Sequence, residues 1–307
     1  MNMTAIVVGD TSFSVGYVGL GNMGGALAKR LQCFHPLHVF DLNPTAVQRC
    51  TDMGASPCDT LDALASKCQV IFLCLPTSNH VETAIFGEHG LSRSLRHGTV
   101  LIDQSTGDPQ ATRIMAQKLA KHGVLLIDAP VSGGIQGAQN GTISIMVGGE
   151  KSVYDYVAPL LNAMSTNVFH VGEIGAGQSM KLVNNLLSGA QRLLTMEAVA
   201  LASKCGISPE QACDVLLSGG ARNLFLEKFM STQVIKGELD TGFTLGLMHK
   251  DVRLACQMAS EAGVPLFFGQ IAREFYQMCI NERGAQDHVH SAALVFDRLA
   301  NTHVVPE

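Results

Sequence analysis

Gly19-Leu20-Gly21-Asn22-Met23-Gly24 spaces three glycines as G-x-G-x-x-G, directly after an apolar run and at the start of a helix-forming one. In that setting each glycine has a task. Gly19 permits a tight turn, Gly21 lets the backbone approach a pyrophosphate, and Gly24 lets the following helix pack on the strand. The helix N-terminus then faces an anion with unsatisfied N–H groups. A second strand-like run ends at Asp41, 17 residues past Gly24, where a carboxylate accepts hydrogen bonds from ribose hydroxyls. A carboxylate there repels a 2′-phosphate, and no arginine follows before Arg49. The spacing therefore predicts NAD in preference to NADP, a plain structural glycine turn being the alternative.

Three further segments carry candidate chemistry. Asp103-Gln-Ser105-Thr106 follows a strand-like run, and Asp128-Ala-Pro130-Val-Ser132-Gly133-Gly134 follows the next. Two adjacent glycines let backbone N–H groups come close to an anion. Gly175-Ala-Gly177-Gln-Ser-Met-Lys181-Leu-Val-Asn184-Asn185 opens a long helical stretch. Residues four apart share a helix face, so Lys181 and Asn185 project together from an otherwise apolar helix. Burial penalises a charged ammonium, which suits a lysine to exchanging a proton near neutrality. The alternative is a surface lysine whose stem lies along apolar groups.

Taken together and in this order, the four segments resemble the β-hydroxyacid dehydrogenases, the family of 3-hydroxyisobutyrate dehydrogenase and tartronate semialdehyde reductase. The resemblance runs from about Ser14 to Ala300. It implies a Rossmann domain followed by a helical domain, and reversible hydride transfer between NAD(H) and a small hydroxy acid or semialdehyde. It also implies that Lys181 is the general acid/base, that Asn185 supports it, and that Ser132, Gly133 and Gly134 bind the substrate carboxylate. Leu75, Pro76 and Thr106 are expected along the cofactor, and Lys250, in Met248-His-Lys-Asp-Val-Arg-Leu-Ala, reaches it. A homodimer or homotetramer built through the helical domain is implied, and no metal is required.

Rival readings are a tartronate semialdehyde reductase or another short-chain hydroxy-acid dehydrogenase, an imine reductase, and a non-catalytic dinucleotide-binding module. Imine reductases of this architecture usually carry Asp or Tyr where this chain has Lys181. Non-catalytic members lose the lysine and gain reader domains or basic tails. Two features carry less information. Asp287-His-Val-His290-Ser-Ala is longer than the usual acidic residue followed by Ser-Ala, and its histidines lack the further ligands a metal site needs; a helix-start or interface role is expected. Arg222, after Gly219-Gly-Ala, either reads a second anionic group of the substrate or is a surface arginine.

These residues need a scaffold. Nearly continuous apolar runs at Ser14–Val18, Leu37–Asp41, Val70–Leu75, Thr99–Asp103, Val124–Asp128 and Ile143–Val147 are the pattern of strands covered on both faces. Helical stretches such as Met23–Cys33, Pro44–Met53 and Pro109–His122 lie between them. That alternation predicts α/β architecture, a doubly wound, mainly parallel Rossmann sheet over residues 1–174. Residues 175–307 read all-α, joined by one long helix over Gly177–Cys205 and continuing with Pro209–Leu217, Leu245–Ala262, Leu266–Glu282 and about Asp287–Ala300. The long helix is apolar nearly all round, which predicts burial on every side.

Composition excludes other classes. Of 307 residues, 47% are hydrophobic and 15% charged, with a net charge of −5; this is the balance of a compact protein with no basic footprint for nucleic acid. No apolar run is long enough to span a membrane. Nine cysteines without a C-x-x-C pair fit reduced, mostly buried thiols in a cytoplasmic protein. Met1–Asp10 lacks a basic start and a cleavage site, and reads as an extension or a short added strand rather than a signal peptide.

Overall fold

The computed structural model describes residues 13–306; the expectation for Met1–Asp10 falls outside them. The chain divides into two compact units, with the boundary between Lys181 and Leu182. In the first unit the elements are β1 (Val15–Val18), α1 (Asn22–Gln32), β2 (Leu37–Phe40), α2 (Pro44–Thr51), β3 (Ser56–Pro57), α3 (Leu61–Lys67), β4 (Val70–Leu73), α4 (Ser78–Phe86), β5 (Val100–Asp103), α5 (Pro109–Ala120), β6 (Leu125–Asp128), β7 (Val131–Ser132), α6 (Gly134–Asn140), β8 (Ser144–Gly148), α7 (Lys151–Met164) and β9 (Asn167–Gly172). Then come α8 (Ala176–Lys204), α9 (Pro209–Ser218), α10 (Leu245–Glu261), α11 (Phe267–Arg283) and α12 (Ala292–Ala300).

The sheet runs β3-β2-β1-β4-β5-β6-β8-β7, with β9 also paired to β8. From β3 to β6 every pairing is parallel. Antiparallel pairing enters where β8 meets β6 and β7. Every residue of β1, β4 and β5 is buried, which is why these strands read as unbroken apolar runs rather than alternations. One apolar layer gathers Leu27, Leu31, Val39, Phe72 and Leu161, and another Leu64, Ile71, Ile85, Leu101 and Leu119. Strand order reverses around β1, between β2 and β4, the place where open α/β sheets bind ligands. Register keeps the strand ends level: Val18 pairs with Phe40 and Leu73, Leu73 with Asp103, and Asp103 with Asp128. The segments after these residues therefore leave one edge of the sheet together.

The second unit buries its own core around Met196, Phe225, Met230, Leu245, Val252, Tyr276 and Val295. The sequence expectation for α8 needs correcting. Val183, Leu187, Leu194 and Leu201 are exposed, at 45–67%, at spacings of four and seven residues. They form one apolar stripe on α8 that the described residues leave exposed, while Leu182, Leu193, Met196 and Val199 are buried. Composition all round a helix does not say which faces the chain itself covers. The segment expected as a helix from Asp287 opens instead as a 3₁₀ turn, Val289–Ser291, before α12.

All nine cysteines are free, and six of them are buried. Among the described residues, no helix is long and apolar enough to cross a membrane.

Candidate active site

The glycine-rich turn joins β1 to α1. Gly19 has φ +90°, and a Cβ there would run into the Cys74 carbonyl oxygen. A Cβ on Gly24 would strike the Gly19 carbonyl and come within 3.1 Å of Cys74 Cβ. Only glycine at both positions lets turn, helix and β4 approach this closely. Gly21 is different: a Cβ there meets nothing within 4 Å. It occupies the N-cap position of α1 and offers no side-chain cap to the first-turn N–H groups, so the donors of that turn stay open to an anion. Leu20 is buried, Met23 is half-buried, and Asn22 is exposed. Asp41, after β2, accepts the Leu20 N–H at 2.6 Å and the Asn43 N–H at 2.7 Å. It braces the turn while keeping lone pairs for a diol. This open, donor-rich cradle fits the dinucleotide expected of it.

A chain of contacts ties the next segments together at the same sheet edge. The Leu75 N–H donates to Ser105 Oγ at 2.9 Å, which fixes Leu75 and Pro76 beside the segment bearing Thr106. Gln178, on α8, donates through Nε2 to the Ser105 carbonyl at 2.8 Å and accepts the Gly107 N–H at 2.9 Å. Asp128, at the end of β6, is fully buried; its two oxygens accept the N–H groups of Gly175 and Gln178, each at 2.7 Å. A carboxylate from another element thus caps α8. Burial pushes the Asp128 carboxyl up to about 6, against the pull of those two donors and of Arg113. Gly148 and Gly177 leave room for it, since a Cβ on either would come within 2.8 Å of its oxygens. Lys181 follows Gln178 by less than one helical turn and is itself buried, at 8% exposure.

The Ser132-Gly133-Gly134 turn runs from β7 into α6. Gly133 has φ +137° and Gly134 φ +71°, conformations that side chains resist. Both glycines are exposed, and a Cβ on Gly134 would meet nothing within 4 Å.

In the second unit, Asn185 is buried on α8, and its Nδ2 donates to Asp251 Oδ2 on α10 at 2.6 Å. Asn184 donates to Asn185 Oδ1 at 2.9 Å. Lys250 Nζ lies 3.2 Å from Asp251 Oδ1. Asp251 therefore links Asn185 and Lys250, two residues that entered the sequence reading separately. Arg222 resolves to the surface, paired with Glu227 at 2.8 Å. His288 and His290 part company: His288 lies 3.2 Å from Asp240, whereas His290 is fully buried against Phe225 and Phe229. Among the described residues, no group of His, Cys, Asp and Glu is arranged to hold a metal.

Residues 14–172 match the model of the NAD binding domain of 6-phosphogluconate dehydrogenase, and residues 175–295 that of the NAD-binding domain of NADP-dependent 3-hydroxyisobutyrate dehydrogenase. The chain is 35% identical to the 2-(hydroxymethyl)glutarate dehydrogenase of Eubacterium barkeri, over 87% of this chain and 89% of that one. It is 36% identical to the 3-hydroxyisobutyrate dehydrogenase of Pseudomonas aeruginosa, over 86% and 91%. The chain belongs to the β-hydroxyacid dehydrogenase family. The Mycobacterium tuberculosis 3-hydroxyisobutyrate dehydrogenase, solved with L-serine, superposes with a TM-score of 0.81 at 28% identity, covering 93% of this chain and 99% of that one.

As a β-hydroxyacid dehydrogenase the protein is an NAD(P)-dependent oxidoreductase acting on CH–OH groups. Two of its structural residues escaped the sequence reading. Asp128 and Gln178 stood inside quoted motifs without a role. The only signals were an acidic residue closing an apolar strand and a glutamine in a glycine-rich helix start, and neither reveals a partner 50 residues away.

Proposed function

We propose that this dehydrogenase interconverts a short β-hydroxy acid of the 3-hydroxyisobutyrate type and its semialdehyde, with Lys181 as general acid/base. One observation carries this reading: Lys181 is a buried lysine on the helix whose start is clamped by Asp128 and Gln178. A lysine so placed takes the hydroxyl proton in oxidation and returns it to the carbonyl oxygen in reduction. Asn185, anchored by Asp251, supports it. Ser132, Gly133 and Gly134 hold the carboxylate through backbone donors on a turn whose two glycines carry no side chain.

The nicotinamide dinucleotide supplies the hydride-transfer chemistry when bound. Gly19, Leu20, Gly21, Asn22, Met23 and Gly24 hold its pyrophosphate and Asp41 its ribose diol. Leu75, Pro76, Thr106 and Lys250 complete the contacts. Asp41, followed by exposed Leu42 and Asn43, supports NAD over NADP. Residues 1–174 then form the cofactor-binding domain, and residues 175–307 serve substrate recognition and association. The uncovered stripe of Val183, Leu187, Leu194 and Leu201 supports a homodimer or homotetramer built on α8. The expected setting is the cytoplasm.

The test is a screen of NAD+ and NADP+ reduction with 3-hydroxyisobutyrate, glycerate and threonate, run in reverse with tartronate semialdehyde. Turnover fastest with 3-hydroxyisobutyrate and NAD+ supports the proposal. Preference for tartronate semialdehyde replaces the substrate assignment, and no turnover of any acid despite NADH binding would sink the catalytic reading.

A further inference from the structure

The helical unit contains a buried cation that the proposed chemistry does not use. Arg192 on α8 is 8% exposed. Its guanidinium carbon sits 4.7 Å from the ring centroid of Phe225 and 5.9 Å from that of Phe229. His290, fully buried, meets the same two rings edge-on at 5.5 and 5.4 Å. Nε and Nη1 of Arg192 and both ring nitrogens of His290 make no hydrogen bond among the described residues. Tyr276, also fully buried, turns its hydroxyl to the Gly189 carbonyl at 3.0 Å. Arg192 forms no ion pair among the described residues.

Burying a guanidinium without a counter-charge is among the costliest arrangements a fold can contain. Contact with two aromatic faces offsets only part of that cost. The local build is specific rather than accidental. Phe229 lies in a π-helical segment, Leu226–Met230, a rare geometry frequent at functional positions. Asn223 fastens that segment to α8, accepting the Leu226 N–H at 2.9 Å and donating to Thr195 Oγ1 at 3.2 Å.

Burial and the neighbouring Arg192 charge push His290 down to about 3, so the imidazole is neutral at ordinary pH. The cluster then carries one positive charge, with ring and guanidinium donors beside two apolar rings. A monoanion with a small apolar body matches that count, whereas a phosphate dianion exceeds it.

We propose that Arg192 and His290, walled by Phe225 and Phe229, form a second binding site for a small organic carboxylate within the helical unit. Lys181 and Arg192 stand eleven residues apart on one helix, about 16 Å along its axis. One short hydroxy acid does not reach both, so the ligand here is a separate molecule. That the ligand is distinct from the hydroxy acid rests on the role proposed for Lys181; the binding of a carboxylate by Arg192 and His290 does not.

The experiment titrates propionate, at constant ionic strength against sodium chloride, into the full-length wild type, Arg192→Met and His290→Phe. Binding is followed by calorimetry and by thermal unfolding. Propionate should raise the wild-type Tm beyond chloride, with binding weakened at least about tenfold in Arg192→Met and measurably in His290→Phe. Without propionate, Arg192→Met should unfold at a higher temperature than wild type, because an uncompensated buried charge has been replaced by an apolar chain. Its KM for the hydroxy acid should stay within about twofold of wild type.

Equal propionate responses in all three proteins would overturn the site. An equal response of the wild type to phosphate would overturn the carboxylate assignment. A large KM change in Arg192→Met would make the cluster part of the substrate site instead. Loss of self-association in Arg192→Met, read by sedimentation, would make the counter-charge a second copy's carboxylate and also refute the proposal. If Arg192→Met fails to fold, His290→Phe, which keeps the aromatic packing, decides by its propionate affinity alone.

Discussion

Asn185 Nδ2 and Asp251 Oδ2 lie 2.6 Å apart, joining α8 to α10 inside the helical unit. Asp251 is 2% exposed and also pairs with Lys250, so it orients one residue assigned to the substrate and one assigned to the cofactor. Replacing it with alanine leaves the buried Asn185 Nδ2 without its acceptor and takes the carboxylate away from partly buried Lys250, a loss of about 1–3 kcal/mol. Asp251→Asn keeps one carbonyl acceptor for Asn185 and should lose less. Denaturant unfolding of both variants checks the order; equal losses would show that the carboxylate charge, rather than the acceptor kept for Asn185, carries the whole effect.

Lys181→Met retains an unbranched chain of similar length, so helix propensity and packing should survive. The proton-exchanging group disappears. kcat is expected to fall by roughly 10²–10⁴, while NADH affinity by fluorescence titration stays within a few-fold. A variant keeping more than about a tenth of wild-type kcat, with chemistry rate-limiting, removes Lys181 from the acid/base role.

Cofactor preference is read from kcat/KM with NAD+ and NADP+. The wild type should favour NAD+ by at least about tenfold, or 1.4 kcal/mol. Asp41→Ser with Leu42→Arg should shift the preference toward NADP+. Because Asp41 also holds the Leu20 N–H, the double variant should bind both cofactors more weakly while changing their ratio. An unaltered ratio would remove Asp41 from cofactor discrimination.

The carboxylate turn is best probed at Gly134. A methyl there meets no neighbouring atom, although φ +71° makes alanine cost about 1–2 kcal/mol. KM for the acid should rise by about tenfold or more, with NADH affinity little changed. Gly133→Val acts in the same direction but confounds binding with backbone strain at φ +137°. An unmoved KM in Gly134→Ala would place the carboxylate elsewhere.

Asp128 predicts a pH signature. Its folded value, about 6, lies above the usual 3.8, so the native state holds its proton to higher pH than the unfolded chain. Stability contributed by this group is therefore present below about pH 4 and lost as pH rises through 6, on the order of 3 kcal/mol in all. The stability difference between wild type and Asp128→Asn, measured by urea unfolding from pH 4 to 8, should fall across pH 4–6 and level off above. A flat difference would contradict the raised value.

The sequence by itself determined the α/β class, the succession of strands and helices along the chain and the glycine-rich turn between β1 and α1. Those features are local. A strand covered on both faces is an apolar run, and a phosphate-binding turn is a fixed spacing of glycines, so each is written in neighbouring residues. Gly19, Gly24 and Asp41 fall where the spacing put them. Only the tertiary structure decided what depends on distant partners: Asp128 capping α8 across about 50 residues, Asp251 uniting Asn185 with Lys250, and Arg192 meeting His290 around Phe225. It also decided exposure. Leu187 and Leu194 look in sequence like core residues of α8, yet they lie on a face that the described residues leave exposed. The physical reason is that periodicity records how apolar a face is, while burial depends on whether another element is folded against it.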